Sequence, residues 1–106
     1  MFDTLIIGQV CQDHNRDFDG TDYHMPGGAV LYAGRAAAAV GHNVAVLAKG
    51  TGNNHAEAFG GRPNITVFPL LSPQDTEMTN VFFTADRERR DCRCTGMIEP
   101  YTAAEL

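Results

Sequence analysis

Apolar and polar positions fall in blocks along the chain, and each block has its own period. Thr4-Leu5-Ile6-Ile7-Gly8-Gln9-Val10 is a short, nearly continuous apolar run. That pattern suits a strand buried on both faces of a parallel sheet, here assigned as the first, central strand. Residues 12–23 turn sharply polar, with Asp13, His14, Asn15, Arg16, Asp17, Asp19 and Asp22 among them. A loop or exposed hairpin is expected there, with Asp19-Gly20 as its turn. Pro26-Gly27-Gly28 opens residues 29–40, whose alanines predict a helix and whose successor Gly41 stops it. This helix is apolar nearly all round, so close packing on both sides is expected.

The next block, Asn43-Val44-Ala45-Val46-Leu47-Ala48-Lys49, reads as a strand ended by Gly50-Thr51-Gly52. Strand, helix and strand make a βαβ unit with parallel strands and a right-handed crossover. Residues 50–63 form a glycine-rich loop with room for one helical turn around His55-Ala56-Glu57-Ala58-Phe59. Ile65-Thr66-Val67-Phe68-Pro69-Leu70 is a further strand, whose proline marks an edge. Beyond the Ser72-Pro73-Gln74-Asp75 turn, residues 79–84 and 89–95 read as an antiparallel hairpin around Ala85-Asp86-Arg87-Glu88. The fold class is therefore α/β, a parallel βαβ core with a small antiparallel hairpin.

Composition narrows the function. The 106 residues suit one small domain, and 8 Lys+Arg against 13 Asp+Glu leave a net charge of -5. Such a field repels phosphate backbones, so nucleic acid is not an expected partner. No apolar run approaches the roughly 18 residues that a membrane span needs, and Met1-Phe2-Asp3-Thr4 has no basic leader character. A cytoplasmic setting without membrane contact is expected, and Cys11, Cys92 and Cys94 are expected to be reduced thiols.

Few residues signal chemistry by themselves. Val10 stands where the second glycine of a G-x-G-x-x-G fingerprint would be, so that motif fails. Two glycines before a helix, Gly27 and Gly28, expose backbone N–H groups that could hold an anion or sugar hydroxyls. A tight turn that admits the helix to the sheet explains them better when they are taken alone. Asp13 falls just past the expected end of the first strand, where open α/β sheets place ligands and where a carboxylate can accept two polyol hydroxyls. By residue type alone an Asx-turn is the simpler account of it. Asp17, Asp19 and Asp22 read as solvated loop charges. Arg87, Arg89, Arg90 and Arg93 read as a solvated hairpin. Cys92 and Cys94 share a strand face and should pack inward while Arg93 points out, and their single C-x-C spacing predicts no metal site.

The order of these features is more specific than any one of them. Gly8-Gln9-Val10-Cys11-Gln12-Asp13-His14, then Pro26-Gly27-Gly28 before an alanine-rich helix ended by Gly41, then Asn43-Val44-Ala45-Val46-Leu47-Ala48 resembles the amino-terminal part of ribokinase-like (PfkB) carbohydrate kinases. Thr79-Asn80-Val81-Phe82-Phe83, Asp86, Arg89-Arg90 and Glu99-Pro100-Tyr101-Thr102 resemble that family's lid hairpin and the segment leaving it, so the match spans nearly the whole chain.

The resemblance implies a partial ribokinase-like fold over residues 1–106, with lid segments at about 14–26 and 78–95. It implies that Asp13 binds sugar hydroxyls and that Gly27 and Gly28 border the same pocket. Tyr32 replaces the asparagine usual four residues after the second glycine, so it joins the substrate-binding set without naming the substrate. Gly52-Asn53-Asn54-His55 replaces the family's acidic stretch. The implied activity is ATP-dependent phosphorylation of a sugar, polyol or nucleoside hydroxyl, with ATP and Mg2+ required by the intact enzyme. The family's G-A-G-D segment, its anion hole and general base, does not occur in the 106 residues. No catalytic residue is therefore assigned, and the chain alone is expected to be inactive and to hold no cofactor. The alternative is a non-catalytic sugar-binding or dimerisation module, in which the lid hairpin makes a homodimer.

Overall fold

The computed structural model describes residues 1–51 and 55–106. Gly52, Asn53 and Asn54, the part of the loop that replaces the acidic stretch, lie outside the described residues. The chain runs β1 (Thr4–Gly8), β2 (Cys11–Arg16), β3 (Asp22–Gly27), α1 (Ala29–Ala39), β4 (Val44–Gly50), α2 (His55–Ala58), β5 (Ile65–Leu71), β6 (Glu77–Phe82) and β7 (Arg90–Gly96), then a 3₁₀ turn at Ala103–Glu105.

The parallel pairing expected of the βαβ unit is present: β1 pairs parallel with β4 from Thr4 opposite Val44 to Gly8 opposite Ala48, and β5 pairs parallel on the other side of β4. The sheet order is β1-β4-β5, with Pro69 on an edge strand as its missing N–H requires. Of these three strands β4 is the one buried along nearly all its length, with a strand on each side of it. α1 lies on one face through Val30, Leu31, Gly34 and Ala38, and its contacts with Val44, Val46, Ala48 and Phe59 make the core. Close approach depends on glycine. A Cβ at Gly34 would stand 2.8 Å from the Phe59 ring, and one at Gly8 would stand 2.4 Å from Val30 Cγ2. Gly41, at φ 92°, ends α1 in the left-handed region, as expected.

Two packing expectations are corrected. β1 is an edge strand, half-buried on one face and exposed on the other, where Leu5 and Ile7 are 62% and 46% exposed. α1 likewise buries a single stripe and leaves Tyr32, Ala33, Ala36 and Ala39 outside. A continuous apolar run permits two-faced burial, but among the described residues only one layer of helix covers the sheet. Ile7, Leu47 and Phe68 share the uncovered face by register, and Phe2 packs edge-on to Phe68 there.

The polar block is a hairpin, the second of the two readings its composition allowed. β2 and β3 pair antiparallel through a turn at Asp19-Gly20, closed by the Asp17 N–H to the Thr21 carbonyl at 2.9 Å. β6 and β7 form the second hairpin as expected. The two hairpins join through parallel pairing of β2 with β6, giving one four-stranded sheet in the order β3-β2-β6-β7. Cys92 and Cys94 are exposed, contrary to the inward packing expected, because β7 is an edge strand and no layer of the described residues covers that face.

Side chains tie the closing segment to the core sheet. Lys49, 3% exposed at the end of β4, donates to both Glu105 carboxylate oxygens at 2.8 and 3.0 Å and to the Pro100 carbonyl at 2.9 Å. The Tyr101 hydroxyl donates to the carbonyls of Gly8 and, at 3.0 Å, Leu47, bridging the ends of β1 and β4. The Thr51 N–H and hydroxyl both donate to Asp75 just before β6, at 2.8 and 2.9 Å, so the two sheets are also linked at that corner.

Phe59 is the largest fully buried side chain of this core. Phe59→Ala is expected to lower the unfolding free energy by about 3–5 kcal/mol in urea denaturation followed by circular dichroism. A loss under about 1 kcal/mol would mean that the core does not centre on the contact between this ring and α1.

Candidate functional site

A strand sends alternate side chains to opposite faces, so β2 divides its polar residues into two sets. Cys11, Asp13 and Asn15 lie on one face, and Gln12, His14 and Arg16 on the other. Register extends the first set across the sheet. Asp13 is opposite Met25 and beside Met78, Asn15 is beside Asn80, Asn80 is opposite Cys92, and Phe82 is opposite Arg90. This face therefore gathers a carboxylate, two carboxamides, a guanidinium and two methionines from four strands.

Asp13 is thus in the middle of β2 and not, as expected, in a loop just past the first strand. The chain leaves the parallel sheet at Gly8 and starts a second sheet at Cys11, a break that the apolar run through Val10 conceals. The Asp13 carboxylate lies directly over Gly27, where a Cβ would come within 2.2 Å of Oδ2. Gly28 follows at φ 101°, a conformation open to glycine, and a Cβ there would meet Cys11 Sγ at 3.2 Å. Asp13, Gly27 and Gly28 are brought together. Tyr32 stands one turn into α1, joined to Gly28 by its backbone N–H at 3.5 Å, with its side chain 54% exposed.

Asn80 donates from Nδ2 to Asn15 Oδ1 at 3.0 Å, and both residues are buried. Arg90 reaches the same amide, Nη1 to Asn80 Oδ1 at 3.5 Å. Sequence reasoning missed Asn15 and Asn80 and read Arg90 as solvated. Once the polar block is a strand, the alternation Cys11, Asp13, Asn15 is the signal that finds the first of them. At the far end of the face Arg87 donates to Asp17 at 2.6 Å and to the Tyr23 hydroxyl at 2.7 Å, tying the tips of the two hairpins together. Asp17 is thus ion-paired, and Asp22 lies in β3, bound by Arg16 at 3.0 and 3.1 Å. Against the expectation of solvated loop charges, Asp17 is in the loop but ion-paired, and Asp22 is exposed but on a strand and ion-paired.

Burial pushes the Asp13 carboxyl above its ordinary range, and the positive charge of Arg90 pulls it partly back. Burial also raises the Cys11 thiol, reinforced by the charge of Asp13. Two cavities, of about 160 and 220 Å³, lie on the Gln12 side of the sheet, the smaller beside the stacked rings of His14 and His24. The Asp13 face is an open surface and encloses neither; its convergent polar groups, not enclosed volume, mark it as the candidate site. Among the described residues no three His, Cys, Asp or Glu side chains gather to hold a metal ion, and no helix is long and apolar enough to cross a membrane.

The raised Asp13 carboxyl has a consequence for stability. The folded chain holds that proton more tightly than the unfolded chain, so the stabilising contribution is complete below the ordinary value of 3.8 and is lost as pH rises through the raised one. Asp13→Asn keeps the shape and removes the charge. Its melting temperature is expected to exceed the parent's by a few degrees at pH 7, with the gap closing as pH falls below 3.8. A gap independent of pH in thermal melts would mean that the carboxylate carries no burial cost.

No family model and no curated protein matches the sequence. Solved structures do. A pyrophosphate-dependent kinase of the ribokinase family, in complex with sulfate, aligns over 96% of this chain and 36% of its own, with a TM-score of 0.79 and 25% identity. A pyrophosphate-dependent ribokinase-family kinase complexed with a pyrophosphate analog and myo-inositol covers 97% of this chain and 35% of its own, at TM-score 0.78 and 26% identity. The Methanocaldococcus jannaschii nucleoside kinase, an archaeal member of the ribokinase family, shares the fold at TM-score 0.67 and 11% identity, over 89% of this chain and 36% of its own. Across nearly all 106 residues the fold is that of these ribokinase-family kinases, and the chain spans about a third of their length.

Proposed function

We propose that these residues form the acceptor-binding part of a small-molecule kinase, in which a phosphoryl group passes to a hydroxyl of a sugar, polyol or nucleoside. The observation that carries the reading is the Asp13 carboxylate, laid over Gly27 on a face with Asn15 and Asn80. A carboxylate accepts two hydroxyl hydrogen bonds, and carboxamides both donate and accept, which is the complement of a vicinal diol. Gly27 makes the room for that carboxylate, and Gly28 turns the chain into α1 beside it. Tyr32 borders the acceptor from the helix. Residues 14–26 and 78–95 act as the lid over the bound acceptor, and the setting is the cytoplasm.

The donor is ATP with Mg2+, or pyrophosphate, the donor named for both of the 25–26% identical kinases. The described residues offer no metal cluster, and the 106 residues contain no G-A-G-D segment to supply a base. In this reading the donor site and the base belong to the rest of the kinase domain. The chain by itself binds the acceptor and transfers nothing, since phosphoryl transfer rests on positioning and charge stabilisation around the donor.

A second reading, a non-catalytic sugar-binding or dimerisation module, is favoured by the open edge of β7 and by Phe83, 61% exposed beside it. Light scattering at high concentration separates the two: a monomer removes the dimerisation form.

Two substitutions test the acceptor site in the intact protein. Asp13→Ala is expected to raise the acceptor KM and lower kcat/KM by about 100-fold, since two hydrogen bonds to a charged group are lost. Gly27→Ala places a methyl on the carboxylate and is expected to reproduce most of that loss with an unchanged circular dichroism spectrum. Unaltered kinetics on the best substrate for both variants would overturn the assignment.

A further inference from the structure

The three cysteines of the chain meet different surroundings. Cys11 opens β2 against Gly28, is 9% exposed, and has its thiol raised by burial, which makes it the inert member. Cys92 and Cys94 are exposed and two residues apart on β7, so strand alternation puts both side chains on one face. Register says which face. Cys92 is opposite Asn80, which stands beside Asn15, and Cys94 is opposite Met78, which stands beside Asp13. The two thiols therefore end the cross-strand rows of the candidate acceptor site. Their bonding differs: Cys94 Sγ donates to the Gly96 carbonyl at 3.1 Å, whereas the Cys92 thiol makes no hydrogen bond among the described residues.

Packing does not account for this pair, and among the described residues no group of three metal-binding side chains includes it. What an exposed thiol keeps is its chemistry. We propose that Cys92 and Cys94 are a reversible thiol-modification site, at which a mixed disulfide formed with a small disulfide such as glutathione disulfide closes the acceptor face. In that step a cysteine thiol gives its proton to solvent, and the thiolate attacks one sulfur of the disulfide. The old S–S bond breaks as the new one forms, and the departing glutathione thiolate takes up a proton. The cysteine sulfur is oxidised, one half of the glutathione disulfide is reduced, and excess free thiol reverses the exchange. Neighbouring strands are about 4.8 Å apart, which puts Asn80 one spacing from Cys92 and Asp13 two spacings from Cys94. An adduct of tripeptide size, roughly 10 Å long when extended, spans that distance and lies where hydroxyls would bind. Coupling runs both ways, since an acceptor held by Asp13 covers the thiols that share its face. The inference rests on the acceptor-site reading above and adds a means of switching that site.

The test treats the intact, reduced protein with glutathione disulfide and locates the adducts by peptide mass. Calorimetric titration with a panel of sugars, polyols and nucleosides, myo-inositol among them, reads acceptor binding before and after. Adducts are expected at Cys92 and Cys94 and not at Cys11, with a loss of acceptor affinity of about 10-fold or more that dithiothreitol restores. The best acceptor, at about ten times its Kd, is expected to slow adduct formation about 10-fold, as the share of free protein falls. The double variant Cys92→Ser/Cys94→Ser is expected to bind acceptor within about threefold of the parent and to keep that affinity in glutathione disulfide. Adducts at both thiols that leave affinity unaltered, or no adduct at either, overturn the proposal. So does an affinity loss that persists in the double variant or that comes with a changed circular dichroism spectrum. In each of these cases the untreated protein still binds, and the acceptor site stands. No binding of any panel member by the untreated protein would overturn the acceptor reading, and the proposal with it.

Discussion

Everything on the candidate face depends on the parallel pairing of β2 with β6. Two hairpins distant in sequence could each form alone, but neither alone assembles the site. The ladder that sets Asp13 beside Met78 and Asn15 beside Asn80 makes four strands one surface. Strand periodicity makes this register unforgiving, since a slip of one residue would send Asp13 and Asn15 to the His14 side and bring Gln12 and His14 in their place. The buried hydrogen bond between Asn15 and Asn80 resists such a slip, because two carboxamides removed from water are satisfied in one register and orphaned in the next.

Much of the parallel core was legible in the chain, for a physical reason. Strand and helix periods are local properties, and Ile65 to Leu70, the alanine-rich helix with Gly41 and the pairing of residues 43–49 with the first strand all follow from them. Burial is not local. Leu5 and Ile7 have the composition of a doubly covered strand, and whether a second layer covers them is decided by elements far along a chain. Cys92 and Cys94 repeat the lesson, as small apolar residues on an edge strand with no layer of the described residues above them. The site was half legible. Gly27, Gly28 and Asp13 stood out through the order of features, whereas Asn15 was hidden in a block whose polarity masked its alternation, and Asn80 acquires meaning only through a partner 65 positions away.

Asp13 illustrates how a binding surface departs from what folding alone would select. Its carboxylate is partly removed from water, crowded against a glycine and answered at a distance by Arg90. A neutral side chain of the same shape would suit the folded chain better. The residue makes sense as a group held ready for hydroxyls, with its desolvation settled before a ligand arrives. The methionines on either side, Met25 and Met78, give that carboxylate an adaptable apolar border.

The ion pair between Lys49 and Glu105 extends the argument from physics to ancestry. These residues are 56 positions apart, yet the ammonium is buried, and among the described residues Glu105 is the carboxylate that neutralises it. Loss of Glu105 strands the buried ammonium, whereas exchange of both for apolar groups of similar volume is tolerable. Selection therefore acts on the two codons together. Among descendants of a common ancestor, the pair should be inherited intact or replaced as a unit, and drift at one position alone should be brief.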